Sequence, residues 1–267
     1  MTEEEVESFR KAAIARLEER QAKQHAAGEL INAVRAGEMD TFKSLLEHGA
    51  DPDEQDGFGY TVLHHVAGRR SMESTLLLLN KGADPNRQDE NGLTPLMMAV
   101  ICNADANATL LLERGADLEL KNERGDTALI IAAGDGDRID AMRVLIEKGA
   151  FIDHKGDEGG TALSLAVMNG YTEMVRLLID KGADLYIKDD RGLTAVDYAK
   201  VAGYPDIALL MKKTVATRQH LAAEKARADE AAKLKREEFR RAAVLKKQRG
   251  LRDLAPVVTI DAARPKP

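Results

Sequence analysis

Asp135, Asp137 and Asp140 are the chain's nearest approach to a metal-binding loop. Oxygen ligands at such spacing would suit calcium, but a calcium loop also needs Gly at its sixth position and Glu at its twelfth. Here those places hold Asp140 and Ile146, so the segment reads as a solvated turn. The histidines are His25, His48, His64, His65, His154 and His220, and none clusters with Cys or acids at zinc-ligand spacing. Cys102, the single cysteine, excludes an internal disulfide framework. It lies beside Ile101 with no nameable base to activate it as a nucleophile. Neither a Gly-x-Ser-x-Gly elbow nor a phosphate-binding Gly-x-x-x-x-Gly-Lys-Ser/Thr loop occurs. The residues therefore predict no catalytic site, no cofactor and no metal.

What the side chains offer instead is a periodic surface. Gly49, Gly82, Gly115, Gly149 and Gly182 each open a Gly-Ala pair. Gly59, Gly92, Gly125, Gly159 and Gly192 each stand two residues before a Thr: Thr61, Thr94, Thr127, Thr161 and Thr194. Both series step by 33, 33, 34 and 33 residues. That period belongs to a stacked helical array, in which one unit cannot bury its apolar face alone. The extra residue falls near Gly134–Arg138, in a loop between two helices.

Each repeated residue type has a mechanical use. The Thr supplies a hydroxyl at a helix N-cap, and Pro95 follows at the first helical position, where its missing N–H costs nothing. Leu63, Leu96, Leu129 and Leu163 begin the buried stripe, and Ala67, Ala99, Ala132 and Ala166 let helices approach closely. Leu78, Leu111, Leu145 and Leu178 do the same in the second helices. The Gly of each Gly-Ala pair ends its helix in a left-handed conformation. Helices of about 8–12 residues are expected, near the usual mean.

At this level the chain resembles the ankyrin repeat family. The units that carry the resemblance best read Asp89-Glu-Asn-Gly-Leu-Thr-Pro-Leu, closing with Leu110-Leu-Leu-Glu-Arg-Gly-Ala-Asp117, and Gly159-Gly-Thr-Ala-Leu, closing with Leu177-Leu-Ile-Asp-Lys-Gly-Ala-Asp184. The resemblance implies an all-α solenoid of helix pairs joined by short β-hairpin connections. It implies a partial first unit at 28–55 and full units at 56–88, 89–121, 122–155, 156–188 and 189–212. His64 takes the place of a histidine that is structural in the family and bonds toward the Thr.

The resemblance also implies where a partner protein would bind: at the hairpin tips and the exposed side of each first helix. In this chain those places hold Phe58, Tyr60 and Arg69, then Asn91, Leu93 and Ile101, then Arg124 and Asp126, then Glu158 and Met168. Phe58, Tyr60, Leu93 and Ile101 are apolar where a purely structural repeat would be polar, and exposed aromatics are common interface anchors. Phe58 and Tyr60 also suit a second role, covering the junction with the incomplete first unit.

Outside the array, residues 1–27 form a helical segment with Val6, Phe9, Ala13 and Leu17 on one face. It reads as a cap for the open end of the stack, with a docking or dimerising helix as the other reading. Residues 213–250 form a long charged helix whose sparse large apolar residues sustain no heptad. Residues 251–267 read as a disordered tail.

The charge divides sharply. Residues 28–211 hold 32 acidic and 18 basic side chains, a net −14, whereas 212–250 hold 13 basic and 5 acidic, a net +8. There is no apolar run long enough to span a bilayer. The N-terminus is acidic where a secretory signal would be basic, so a cytoplasmic protein is expected.

The leading functional expectation is a protein-interaction module, an adaptor or scaffold, whose partner is a protein of basic character. The basic helix could make a second contact or bind the acidic array within the molecule, given a break near Thr214–Thr217. The alternatives are a nucleic-acid-associated or anionic-membrane-associated protein acting through that helix, and an ankyrin effector delivered into another cell. Phe239 is the helix's only aromatic, which serves base stacking poorly.

Overall fold

The computed structural model describes residues 28–69 and 71–252. Helices follow the repeat pattern in pairs. The first pair is α1 (28–36) and α2 (Met39–Glu47). Then come α3 (Val62–Ala67) with α4 (Met72–Asn80), and α5 (Pro95–Ile101) with α6 (Asp105–Glu113). Next are α7 (Ala128–Ala133) with α8 (Ile139–Glu147), α9 (Ala162–Met168) with α10 (Thr172–Asp180), and α11 (Ala195–Val201) with α12 (Pro205–Arg252). The first helices are shorter than expected, at 6–7 residues from α3 to α11. Two turns are enough, because in α3 Leu63, Val66 and Ala67 already complete the buried stripe.

Two layers result. The first helices α3, α5, α7, α9 and α11 pack in succession, and the second helices α4, α6, α8 and α10 pack in succession behind them. Leu78, Leu111, Leu145 and Leu178 are wholly buried, one per second helix. Side-chain caps fix four of the first helices. Thr61, Thr94, Thr161 and Thr194 accept from the backbone N–H three residues on. Thr127 departs from the expected cap: its buried hydroxyl has no hydrogen-bond partner, and α7 starts without one.

The connections between units are hairpin turns that carry no strand ladder among the described residues. Among the described residues the only bridge is the isolated antiparallel pair Gln55–Thr61. Each turn closes on itself, as in Asp89 N–H to Leu93 O at 3.0 Å. Its shape is held by an Asx-type side chain, since Asp89 Oδ1 accepts from Asn91 N–H at 2.9 Å and from Leu93 N–H at 2.7 Å. With those N–H groups satisfied locally, no ladder is needed. Gly92 sits at φ +72° inside this turn.

The inserted residue lies where the period placed it. α7 and α8 start eleven residues apart, where the other pairs from α3 onward start ten apart. The longer loop forms a 3-10 turn, Gly136–Arg138. Arg138 is largely covered rather than solvated: it donates to Ile131 O at 3.2 Å and to Ile101 O at 3.3 Å, and pairs with Asp135 at 3.4 Å. It therefore clips the ends of α5 and α7 together.

The described chain divides into two units, one reaching to Met211 and one beginning at Lys212. α12 spans that division as one helix, with no break at Thr214–Thr217; Thr217 Oγ1 bonds back to Lys213 O at 3.0 Å. It also takes in Leu251 and Arg252, which the sequence assigned to the tail. The expected N-terminal cap and the rest of the tail lie outside the described residues. No helix among the described residues is long and apolar enough to cross a membrane.

Candidate recognition groove

Where first helices of neighbouring units meet their hairpin turns, the array opens a groove of about 550 Å³. Its apolar surface comes from Leu93 and Ile101, from Ile130 and Ile131 of α7, and from Leu165 of α9. Asn91, Glu123, Arg124 and Asp126 supply the polar surface. Five residues predicted from sequence thus converge: Asn91, Leu93, Ile101, Arg124 and Asp126.

The other five lie elsewhere on the array. Phe58 is 67% exposed on its turn, with its N–H held by Asp56 Oδ1 at 3.0 Å. Tyr60 is half-buried, its ring edge-on to His64 at 5.6 Å and tilted against His65 at 5.7 Å between centroids. Burial and the nearby Asp89 carboxylate push its hydroxyl pKa up. Arg69 is exposed, and its carbonyl accepts from the Asn107 amide at 2.6 Å. Glu158 is exposed and pairs with Arg191 at 2.6 Å. Met168 is exposed at the end of α9.

Ile130, Ile131 and Leu165 were not among the predicted residues. Ile131 and Leu165 hold the place that His65, Met98 and Tyr198 hold in other units. That place takes His, Met, Ile, Leu and Tyr in turn and is half-exposed in all five units, and this mixture of residue types was the available signal.

The chemistry around Tyr60 is structural. His64 Nε2 donates to Leu93 O at 2.9 Å while Nδ1 accepts from Thr61 N–H at 3.0 Å, which fixes the neutral tautomer. Burial holds the His64 pKa below its ordinary value. His65 Nε2 reaches Asp56 Oδ2 at 3.0 Å, and Arg35 reaches the same oxygen at 2.8 Å, linking the first unit to the second. Among the described residues no three His, Cys, Asp or Glu side chains gather as a metal-ligand set.

The regularity of the turns breaks once, beside the groove. Backbone links join successive tips: Glu90 N–H to Phe58 O at 3.3 Å, Glu123 N–H to Asn91 O at 2.9 Å, Asp190 N–H to Glu158 O at 3.0 Å. Between the turns carrying Gly125 and Gly159, Asp157 N–H instead meets the Asp126 side chain, at 3.3 Å. Gly156 stands there in place of the Asp or Asn that shapes the other turns, and Glu158 takes a positive φ of 53°. The two tips stand further apart. A Cβ at Gly92 would lie 2.9 Å from the next turn's backbone, but one at Gly125 would lie 3.8 Å away.

These features and the repeat agree with the comparisons. A family profile described as "Ankyrin repeats (3 copies)" matches residues 30–122 and 114–189. The chain belongs to the ankyrin repeat family. Among solved structures it is similar to EF0377, an ankyrin repeat protein, at 34% identity and a TM-score of 0.66, covering 70% of this chain and 97% of that one. None of the curated proteins compared matches. Ankyrin repeats generally serve as protein-interaction modules and are typically non-enzymatic.

Proposed function

We propose that this chain is a non-enzymatic adaptor or scaffold that holds a partner protein along the first-helix side of its array. The observation that carries the reading is the groove itself. Half-exposed Leu93, Ile101, Ile131 and Leu165 face an opening edged by charged side chains, an arrangement that packing between units does not require. Apolar surface left accessible inside a polar rim suits protein recognition.

Photocrosslinking tests it. A benzophenone amino acid replaces Asn91 in the groove of the full chain, and a second variant carries it at exposed Asp180 at the end of α10. Discrete protein adducts from the groove variant, absent from the Asp180 variant, are expected in a lysate of the source cells. Identical adduct patterns from both positions, or none from either, would overturn the groove as the binding face.

A further inference from the structure

We propose that the groove reads an extended segment of a partner protein in which a branched aliphatic residue and a Lys or Arg stand three residues apart. This rests on the interaction-module reading and specifies the partner's chemistry. The aliphatic side chain lies against Leu93 and Ile101, and the cation meets Asp126.

Asp126 is the anomaly that points to a cation. Its place in the unit is held by Tyr60, Leu93 and Leu193 in three others, where apolar or aromatic surface covers the turn. Here a carboxylate faces a floor of Ile130, Ile131 and Leu165. Its partners within the protein are neutral: Asp157 N–H at 3.3 Å and the Asn122 side chain. No described cation forms an ion pair with it, although Arg124 stands two residues away on the groove's edge. Burial, the largest influence, holds its carboxyl pKa above the ordinary value. A partly desolvated carboxylate of this kind gains most from a cation brought in by a ligand. Gly156, which lacks a side chain, leaves the place that Asp126 Oδ1 occupies, and the groove of about 550 Å³ that Asp126 lines offers the space for the cation.

The surrounding field has the same sign. Residues 28–211 carry a net −14, and Glu123 adds a second carboxylate to the groove. Long-range attraction would steer a basic segment to this face.

Distance sets the spacing. Leu93 and Asp126 are equivalent positions of adjacent units, 33 residues apart, and their helices α5 and α7 pack directly. Packed helices lie about 8–10 Å apart. An extended segment in the polyproline II conformation rises about 3.1 Å per residue and returns to the same face every third residue, so residues three apart span that step with both side chains toward the groove.

The test uses the full chain and an immobilised array of twelve-residue peptides with one fixed Leu and one fixed Lys, both orders, at separations of one to six. Matched peptides carry Gln or Glu for Lys, or Ala for Leu. Binding should peak at a separation of three and fall about tenfold or more when Lys becomes Gln, as for a hydrogen bond to a charged group. In Asp126→Asn, which keeps the acceptor for Asp157 N–H, the Lys-over-Gln preference should vanish while the Leu-over-Ala preference stays. Glu123→Gln should leave the separation of three intact. Equal binding at every separation, or a Lys preference that survives in Asp126→Asn, would show that overall charge and not this site selects the ligand. Failure of every peptide to bind would overturn the segment as well, while groove-specific crosslinks would still support a partner recognised in another form.

Discussion

His64 does two jobs with one ring: Nδ1 completes the cap on α3 by accepting from Thr61 N–H, and Nε2 donates across to Leu93 O in the next unit. The cap needs the neutral ring, because a second proton on Nδ1 removes the acceptor, whereas the bond to Leu93 O survives protonation of the ring. Its folded pKa is depressed, as are those of His65 and His154, with burial first among the causes in each. For a base with a depressed folded pKa, the unfolded chain binds the proton more readily. The stabilisation is then complete above the ordinary value of 6.5 and is lost as pH falls below it toward the folded value. The thermal midpoint should therefore decline between about pH 7.5 and 5.5, a window in which ordinary carboxylates stay ionised. His64→Ala should lower the midpoint at neutral pH, costing about 1–3 kcal/mol for the unpaired groups it leaves, and should flatten the decline. An unchanged slope in that variant would assign the pH dependence to His65 and His154. The structural role of His64 was legible from the residue's place in its unit. Its reach to Leu93 was not, because that bond joins residues 29 apart and depends on how two units stack.

At the scale of elements, the two glycine series look alike in sequence but do different work. Gly82, at φ +92°, ends α4 with open space where a Cβ would stand. Gly92, at φ +72°, would put a Cβ 2.9 Å from the Asn122 Cα and the Glu123 nitrogen. Gly82→Ala should cost only the backbone penalty, about 1–2 kcal/mol. Gly92→Ala adds a collision with a neighbouring unit's backbone and should cost more, about 2–4 kcal/mol once both penalties of strain are counted. Equal urea midpoints would mean that the tips can separate freely. Leu111→Ala probes the layer behind: the side chain is wholly buried in α6, and its loss should cost about 2–5 kcal/mol. A change of less than about half a kcal/mol would contradict the packing. Period alone made the helix pairs and the site of the inserted residue legible, since spacing survives without knowing any contact. The clip made by Arg138 and the missing tip link at Asp126 were not, because each departs from the repeat through contacts 31–37 residues away.

Over the whole chain the two units differ in what holds them. The array buries a leucine core in each pair from α1 to α10, whereas from Gln219 onward every described side chain of α12 is exposed. A helix that buries nothing rests on local terms: alanine content, and acid-before-base pairs such as Asp229 with Lys233 and Glu237 with Arg241. Each pair contributes only about 0.2–0.5 kcal/mol, and nucleation of such a helix is unfavourable. Its backbone should therefore open independently of the array and far more often. Hydrogen–deuterium exchange read by mass spectrometry should show amides of 219–241 exchanging quickly while those of α6 and α8 stay protected. The contrast should persist at low protein concentration and sharpen with added salt, which screens the helix's charge pairs. Protection of 219–241 equal to that of α6 would mean that this segment packs against something. Two dilutions separate the cases: protection lost on dilution marks a second copy of the chain, and protection independent of concentration marks contact within one molecule, where the net +8 of 212–250 and the −14 of 28–211 would be the attraction to test by salt titration.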